Sequence, residues 1–169
     1  MKKWTIHPAV YKSDFERLKT WFLQAREDLN REEIDQWQDW PALEASLKTL
    51  LIAEEGYFVY RGNEPIGFYG LSFYDQVYEK YRIWSNESYG AVHRLVMNPL
   101  VKGEGLSRQL FTQFERQIKQ GGRKSVRIDT HSDNQRMRHI LKQEEYRYCG
   151  KICLLDGSER LAYEKGIKE

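Results

Sequence analysis

The chain has 169 residues, enough for one domain with its own core, and its 27 Lys and Arg against 25 Asp and Glu leave a net charge of +2. So small an excess does not by itself point to a nucleic-acid or membrane partner. The mean hydropathy of -0.76 is polar, yet 14% aromatic residues supply core material and exclude a disordered chain, and with no secretory or membrane-spanning run the expectation is a cytoplasmic single domain over 1–169.

In chain order, residues 4–9 read as a first strand. Residues 14–30 follow as a helix, with Phe15, Leu18, Phe22, Ala25 and Leu29 at helical spacing. The segment REEIDQWQDWP is irregular and aromatic. Pro41 suits the first turn of a second helix carrying Leu43, Leu47, Leu50 and Leu51, which Gly56 is expected to end. Residues 57–61 and 66–73 are aromatic and β-branched runs joined by GNEP, the pattern of a hairpin. Residues 75–88 are polar and without period, and 89–97 alternate as a strand does, placing Ala91, His93, Leu95 and Met97 on one face. Leu106, Leu110, Phe111, Phe114 and Ile118 form a helical stripe that stops at Gly121 and Gly122. A strand over 125–130 precedes a helix through Ile140 and Leu141 that Ser132 or Asp133 would cap, and two strands joined through DGS close the chain. The first of these carries Cys149 and Cys153, read as free buried thiols on one face, too far apart to join and without a zinc pattern. The class is thus mixed α/β, with a mainly antiparallel sheet flanked by helices.

Gly103 and Gly105 stand between a strand and a helix, where glycine costs about 1 kcal/mol relative to alanine. A strand, a glycine turn and a helix start together make an anion site, because unpaired N–H groups converge there. The triphosphate-binding loop requires Gly-Lys-Ser/Thr, and no lysine follows here. The dinucleotide fingerprint has Arg108 in place of its third glycine, and it belongs after a first strand rather than a fourth. An ordinary ligand-free helix entrance is the remaining alternative. The stretch Lys102, Gly103, Glu104, Gly105, Leu106, Ser107 resembles motif A of the GNAT superfamily of N-acetyltransferases, with Lys102 where Arg or Gln is usual and Ser107 for the last small residue. RLVMNP, IDTHSDNQRM and EYRYCG are similar to the fourth strand, the fifth strand with its cofactor Asn, and the closing region of that family.

The resemblance implies the GNAT acyl-CoA N-acyltransferase fold and acetyl-CoA as co-substrate. Its diphosphate would lie on residues 102–107, its pantetheine along the edge of Leu95, Val96 and Met97, with Asn134 and Arg138 also on the carrier. It further implies direct transfer to a primary amine of a small molecule or peptide in a ternary complex. The near-neutral charge, the lack of a membrane-length run and the lack of a zinc pattern give the expectation of no nucleic acid, no membrane and no metal, and exposed terminal strands leave a homodimer open. Arg136, Arg138 and Lys142 form a basic face suited to the 3'-phosphate, though such faces are commonly just solvated. His93 is the candidate base, lying two residues before Leu95, with a histidine packed in the core as the plain alternative. The family's acidic tyrosine position is Leu141 here, seven residues after Asn134, and cannot donate; Tyr146 is a weaker candidate acid, with a core aromatic as the favoured alternative. Glu145 stands where the family has glycine. Asp35, Trp37, Asp39 and Trp40 occupy the region of the acceptor wall, where carboxylates beside aromatics suit a cation, with core packing of the tryptophans as the plain alternative and the favoured one for at least one of them. A non-catalytic acyl-CoA-binding module is the competing reading.

Overall fold

The computed structural model describes residues 1–169. Its elements follow the expected order: β1 (Trp4–Pro8), α1 (Tyr11–Arg31), α2 (Trp40–Ile52), β2 (Gly56–Arg61), β3 (Glu64–Ser72), β4 (Tyr89–Met97), α3 (Ser107–Gln120), β5 (Ser125–Thr130), α4 (Gln135–Gln143), β6 (Arg147–Cys153) and β7 (Glu159–Gly166). Short 3-10 turns cover Tyr78–Lys80 and Pro99–Val101. The seven strands run β1-β2-β3-β4-β5-β7-β6, and β4 with β5 is a parallel pair in an otherwise mainly antiparallel arrangement. The chain divides into two compact units, residues 1–70 with 94–110, and residues 71–93 with 111–169.

In the first unit, α1 and α2 cover one side of the β2–β3 hairpin. Leu18, Trp21 and Phe22 of α1 join Leu43, Leu47 and Leu51 of α2 in a core that includes Phe58, Phe68 and Val96. Trp21 meets Phe58 edge-on at 5.4 Å and Phe22 meets Phe68 at 6.3 Å, the offset geometry that aromatic quadrupoles prefer. Helix α1 starts earlier than the apolar stripe suggests, because the Asp14 carboxylate accepts the Val10 N–H at 2.7 Å and fixes the entry. Helix α2 begins as read, with Asp39 accepting the Ala42 N–H at 3.2 Å and Pro41 in the first turn. Its end differs from the expectation: Ala53 caps it, and Gly56 instead opens β2. A Cβ on Gly56 would lie 2.8 Å from the Phe68 ring and 2.9 Å from Leu50, so packing demands that glycine. The hairpin loop is also tighter than GNEP implied, since Glu64 and Pro65 already pair with Arg61 and Tyr60; a register irregularity between Val59 and Tyr60 accommodates the proline.

In the second unit, Phe111, Phe114 and Ile118 present the apolar stripe of α3, and Ile118 comes so close to β4 that a Cβ on Gly90 would lie 2.6 Å away. The helix stops at Gln120, just before the two glycines. The cap of α4 is neither Ser132 nor Asp133 but Asn134, whose Oδ1 accepts the Met137 N–H at 3.1 Å. Strand β6 pairs with β7 through a register shift between Tyr148 and Gly150. The bulge breaks the alternation that put both thiols on one face: Cys149 is half-buried, Cys153 is exposed, and both are free. Leu154 and Ser158 close the DGS turn with an N–H to carbonyl bond of 2.8 Å.

Candidate active site

The glycine loop belongs to the first unit and is built from β4 outward. Asn98 ends the strand, its N–H donating to Ile66 O at 2.8 Å and its side-chain amide to Pro65 O at 2.7 Å, while its Oδ1 caps the Pro99–Val101 turn. Residues 102–105 then run exposed into α3. Gly103 and Gly105 have φ of 93° and 70°, the left-handed region that side chains disfavour, and a Cβ at either would meet nothing within 4 Å. Neighbouring atoms therefore do not require these glycines; the backbone conformation and the open approach to it do. Leu106, just before the helix, has a hydrocarbon side chain that cannot cap, and no main-chain acceptor takes the N–H groups of Gly103, Gly105, Leu106 or Ser107. Two ion pairs flank the turn: Lys102 Nζ lies 2.8 Å from Asp28 of α1, and Glu104 lies 3.4 Å from Arg61. Burial acts to raise the Asp28 pKa, but hydrogen bonds from Lys102 and Gln24 and the charges of Lys102 and Arg31 outweigh it and hold the carboxyl below its usual range.

The edge residues Leu95 and Met97 are half-buried, and Val96 packs into the core of the first unit. Arg94 has φ of 54°, which interrupts the pleat of β4, so the alternation placing His93 and Leu95 on one face does not carry across it. The parallel pairing of β4 with β5 extends only over Tyr89 to Ala91 opposite Ser125 to Arg127. Within the second unit, Val92 and His93 lie beyond that register.

In the second unit, His93 is held in a polar cluster that the sequence reading did not find. Its Nε2 lies 2.9 Å from Asp75 Oδ2, and its ring faces Tyr78 at 5.7 Å. Asp75 is itself fixed. Its Oδ1 accepts the Tyr78 N–H at 2.8 Å, its own N–H donates to Tyr89 Oη at 2.9 Å, and Tyr89 donates in turn to Glu79 at 2.7 Å. The Tyr78 hydroxyl donates to Asp129 at the end of β5, and Trp84 Nε1 donates to Tyr78 O at 3.0 Å. Arg127 stacks its guanidinium over the Tyr89 ring at 3.7 Å and the Trp84 ring at 4.6 Å. Burial acts to raise the Asp75 pKa, but the His93 hydrogen bond and charge, with the N–H groups of Tyr78 and Val77, prevail and lower it. Burial and the bond to Glu79 push the Tyr89 hydroxyl up to about 12. The segment 75–88 has no hydrophobic period, so only the Asp-x-x-Tyr spacing of a side-chain-capped turn could have signalled it.

Other residues singled out from sequence have local tasks. Tyr146 is 6% exposed, and its hydroxyl donates to Glu115 at 2.8 Å, which Lys165 also binds at 3.0 Å. Burial first, then the Glu115 charge and bond, raise the Tyr146 pKa well above normal, which suits a packed structural hydroxyl better than a proton donor. Glu145 adopts φ of 65°, so the family's glycine turn is kept with a strained residue in it. Arg138 donates to Ser132 O at 3.0 Å, steadying the turn into α4, and Asn134 serves the same helix as its cap. Trp37 and Trp40 pack on the first unit's core, Asp39 is the α2 cap, and Asp35 is exposed. No group of three or more His, Cys, Asp or Glu side chains is arranged to hold a metal ion, and no helix is long and apolar enough to cross a membrane.

A family model for the acetyltransferase (GNAT) family matches residues 15–144. The chain belongs to the GNAT family. Solved structures similar to this GNAT protein include a GNAT-family acetyltransferase from Streptococcus agalactiae 2603, 24% identical with a TM-score of 0.80, covering 98% of this chain and 96% of that one. A GNAT-family acetyltransferase from Listeria monocytogenes 4b F2365 is 13% identical with a TM-score of 0.74, covering 96% and 94% of the two chains. Ard1 from Thermoplasma volcanium is 16% identical with a TM-score of 0.68, covering 98% and 99%. At these identities the likeness is one of fold. No curated protein matches the GNAT chain.

Proposed function

We propose that this GNAT protein transfers the acetyl group of acetyl-CoA directly to a primary amine of a small molecule or peptide. The observation that carries the reading is the open, left-handed turn at Gly103 and Gly105, whose unpaired amides stand at the positive end of α3. An anionic diphosphate gains charge-assisted bonds there, and glycine lets it approach the backbone. The β4 edge at Leu95, Val96 and Met97 takes the pantetheine as an added strand, as the family resemblance implies. Asn134 and Arg138 are assigned to the same carrier through the family motif.

In the transfer, the amine nitrogen attacks the thioester carbonyl carbon. The C–S bond breaks, the nitrogen's proton passes to His93, and the coenzyme A thiolate leaves and is protonated by solvent. His93 supports this role by being partly exposed, at 26%, and held in one orientation. Leu141 and the buried Tyr146 leave no side chain in the family's acid position. Holding two substrates together can contribute about 7–11 kcal/mol, against about 3–5 kcal/mol for one acid or base, so turnover does not depend on that acid.

Thiol release from acetyl-CoA across polyamines, aminoglycosides, amino acids and peptide N-termini tests the reading. Amine-dependent release is expected. Saturable binding of acetyl-CoA with no release on any amine would instead identify a non-catalytic acyl-CoA-binding module.

A further inference from the structure

We propose that Asp75 is a positioning residue that makes Nδ1, and not Nε2, the proton-accepting atom of His93. The inference rests on the transferase reading for its kinetic consequence, but the geometry behind it lies wholly within the second unit.

The Asp75 carboxylate touches His93 at Nε2 over 2.9 Å, and its other oxygen is taken by the Tyr78 N–H. Its lowered pKa keeps it ionised at neutral pH, and an ionised carboxylate can only accept. The hydrogen between the two groups therefore sits on Nε2. A neutral imidazole carries one N–H, so the lone pair is left on Nδ1. When a proton arrives at Nδ1 the ring becomes an imidazolium whose charge Asp75 faces directly, and the carboxylate itself stays unprotonated.

The carboxylate is suited to orienting because it cannot swing away. Four bonds hold residue 75: Oδ1 to the Tyr78 N–H, Oδ2 to His93, the main-chain N–H to Tyr89 Oη, and the main-chain carbonyl to the Glu79 N–H. The Tyr78 ring that lies against His93 is held at its hydroxyl by Asp129, and the Tyr78 main-chain carbonyl accepts from Trp84 Nε1. The other charged groups of the cluster are Glu79, bound to Tyr89, Asp129, bound to Tyr78, and Arg127, stacked on Tyr89 and Trp84; each is met through an intervening tyrosine. Asp75 alone among them bonds the imidazole.

The test combines ring 15N NMR of His93 in the ligand-free full chain with steady-state kinetics on whichever amine of the panel the wild type acetylates. The variant is Asp75→Asn, which keeps the shape and can keep the oxygen that caps Tyr78. Its NH2 would then face Nε2 and force the hydrogen to Nδ1. The wild type is expected to show the Nε2–H tautomer and the variant the Nδ1–H tautomer. The variant's kcat should fall about 10²-fold, within the range of a lost acid or base, while KM for acetyl-CoA stays within about twofold. A residue that merely braces the loop would lower the melting temperature without switching the tautomer. The Nδ1–H form in the wild type, an unchanged tautomer in the variant, or a switched tautomer with kcat intact would overturn the proposal. Should the variant not fold, the wild-type tautomer alone decides it. A wild type that acetylates no amine would sink the transferase reading instead, and the ring signals would still report whether Asp75 sets the tautomer.

Discussion

Replacing Gly105 by alanine separates a ligand-binding turn from an ordinary helix entrance. At φ of 70° an alanine pays about 1–2 kcal/mol for the left-handed conformation, and the stiffer unfolded chain returns about 0.4–1 kcal/mol, for a net loss near 1 kcal/mol. For a chain of this length that lowers Tm by about 2–4 °C. No clash adds to it, since the new Cβ meets no atom within 4 Å. Toward a diphosphate the methyl stands on the face of approach and displaces at least one charge-assisted N–H bond, worth about 1.5–3 kcal/mol, or roughly 10- to 150-fold in affinity. Gly122→Ala is the matched control, because φ is 76° there, space is again open, and the residue lies past the far end of the same helix. Calorimetric titration with acetyl-CoA and thermal melts of both variants complete the experiment. Equal Tm losses with an affinity loss confined to Gly105→Ala are expected. Equal affinities in the two variants would refute the reasoning.

Tyr146→Phe removes a buried bond to a charged acceptor and should destabilise the protein by about 1.5–3 kcal/mol in denaturant unfolding while leaving kcat within about threefold; a loss of 10²-fold or more would restore Tyr146 as the general acid. Glu145→Gly relieves a left-handed residue and should raise stability by up to about 1 kcal/mol, checked by the same unfolding, with no change meaning that the turn carries no strain. Asp28→Asn frees Lys102 from its 2.8 Å ion pair, and at the strength of an exposed pair this should tighten acetyl-CoA binding by up to about fivefold at low salt, an effect that added salt removes. Acid should weaken the fold partly through Asp75. Its folded pKa is depressed, so its contribution is present above the unfolded value near 3.9 and is lost as pH falls through the folded one; Asp75→Asn should flatten the stability profile below about pH 4.

Local periodicity carried most of the architecture. The stripes of Leu18 and Phe22, of Leu43 and Leu47, and of Leu110 and Phe114 each become the buried face of a helix, because burial selects one side of a 3.6-residue repeat. What escaped is set by contacts distant in sequence or by single dihedral angles. Gly56 reads as a helix stop only until Phe68 is brought against it. Arg94 has no composition signal for a left-handed angle within a strand, so the face assigned to His93 beyond it could not be read. The two tryptophans of the irregular segment admitted both an acceptor wall and core packing, and both are partly buried against the core of the first unit. Asp75 was invisible because its partner lies 18 positions on, across a segment with no repeat to follow. The glycine turn was legible for the opposite reason: its chemistry lies in consecutive backbone atoms, and the residue types alone show that side chains must be absent there.

The central claim is that main-chain amides from 103 to 107 hold the diphosphate of coenzyme A. A 1H–15N titration of the full chain with coenzyme A tests it most directly. The Gly103, Gly105, Leu106 and Ser107 amides should move downfield together and saturate along one isotherm. Saturable binding that leaves those four signals in place, or no binding at all, would contradict it.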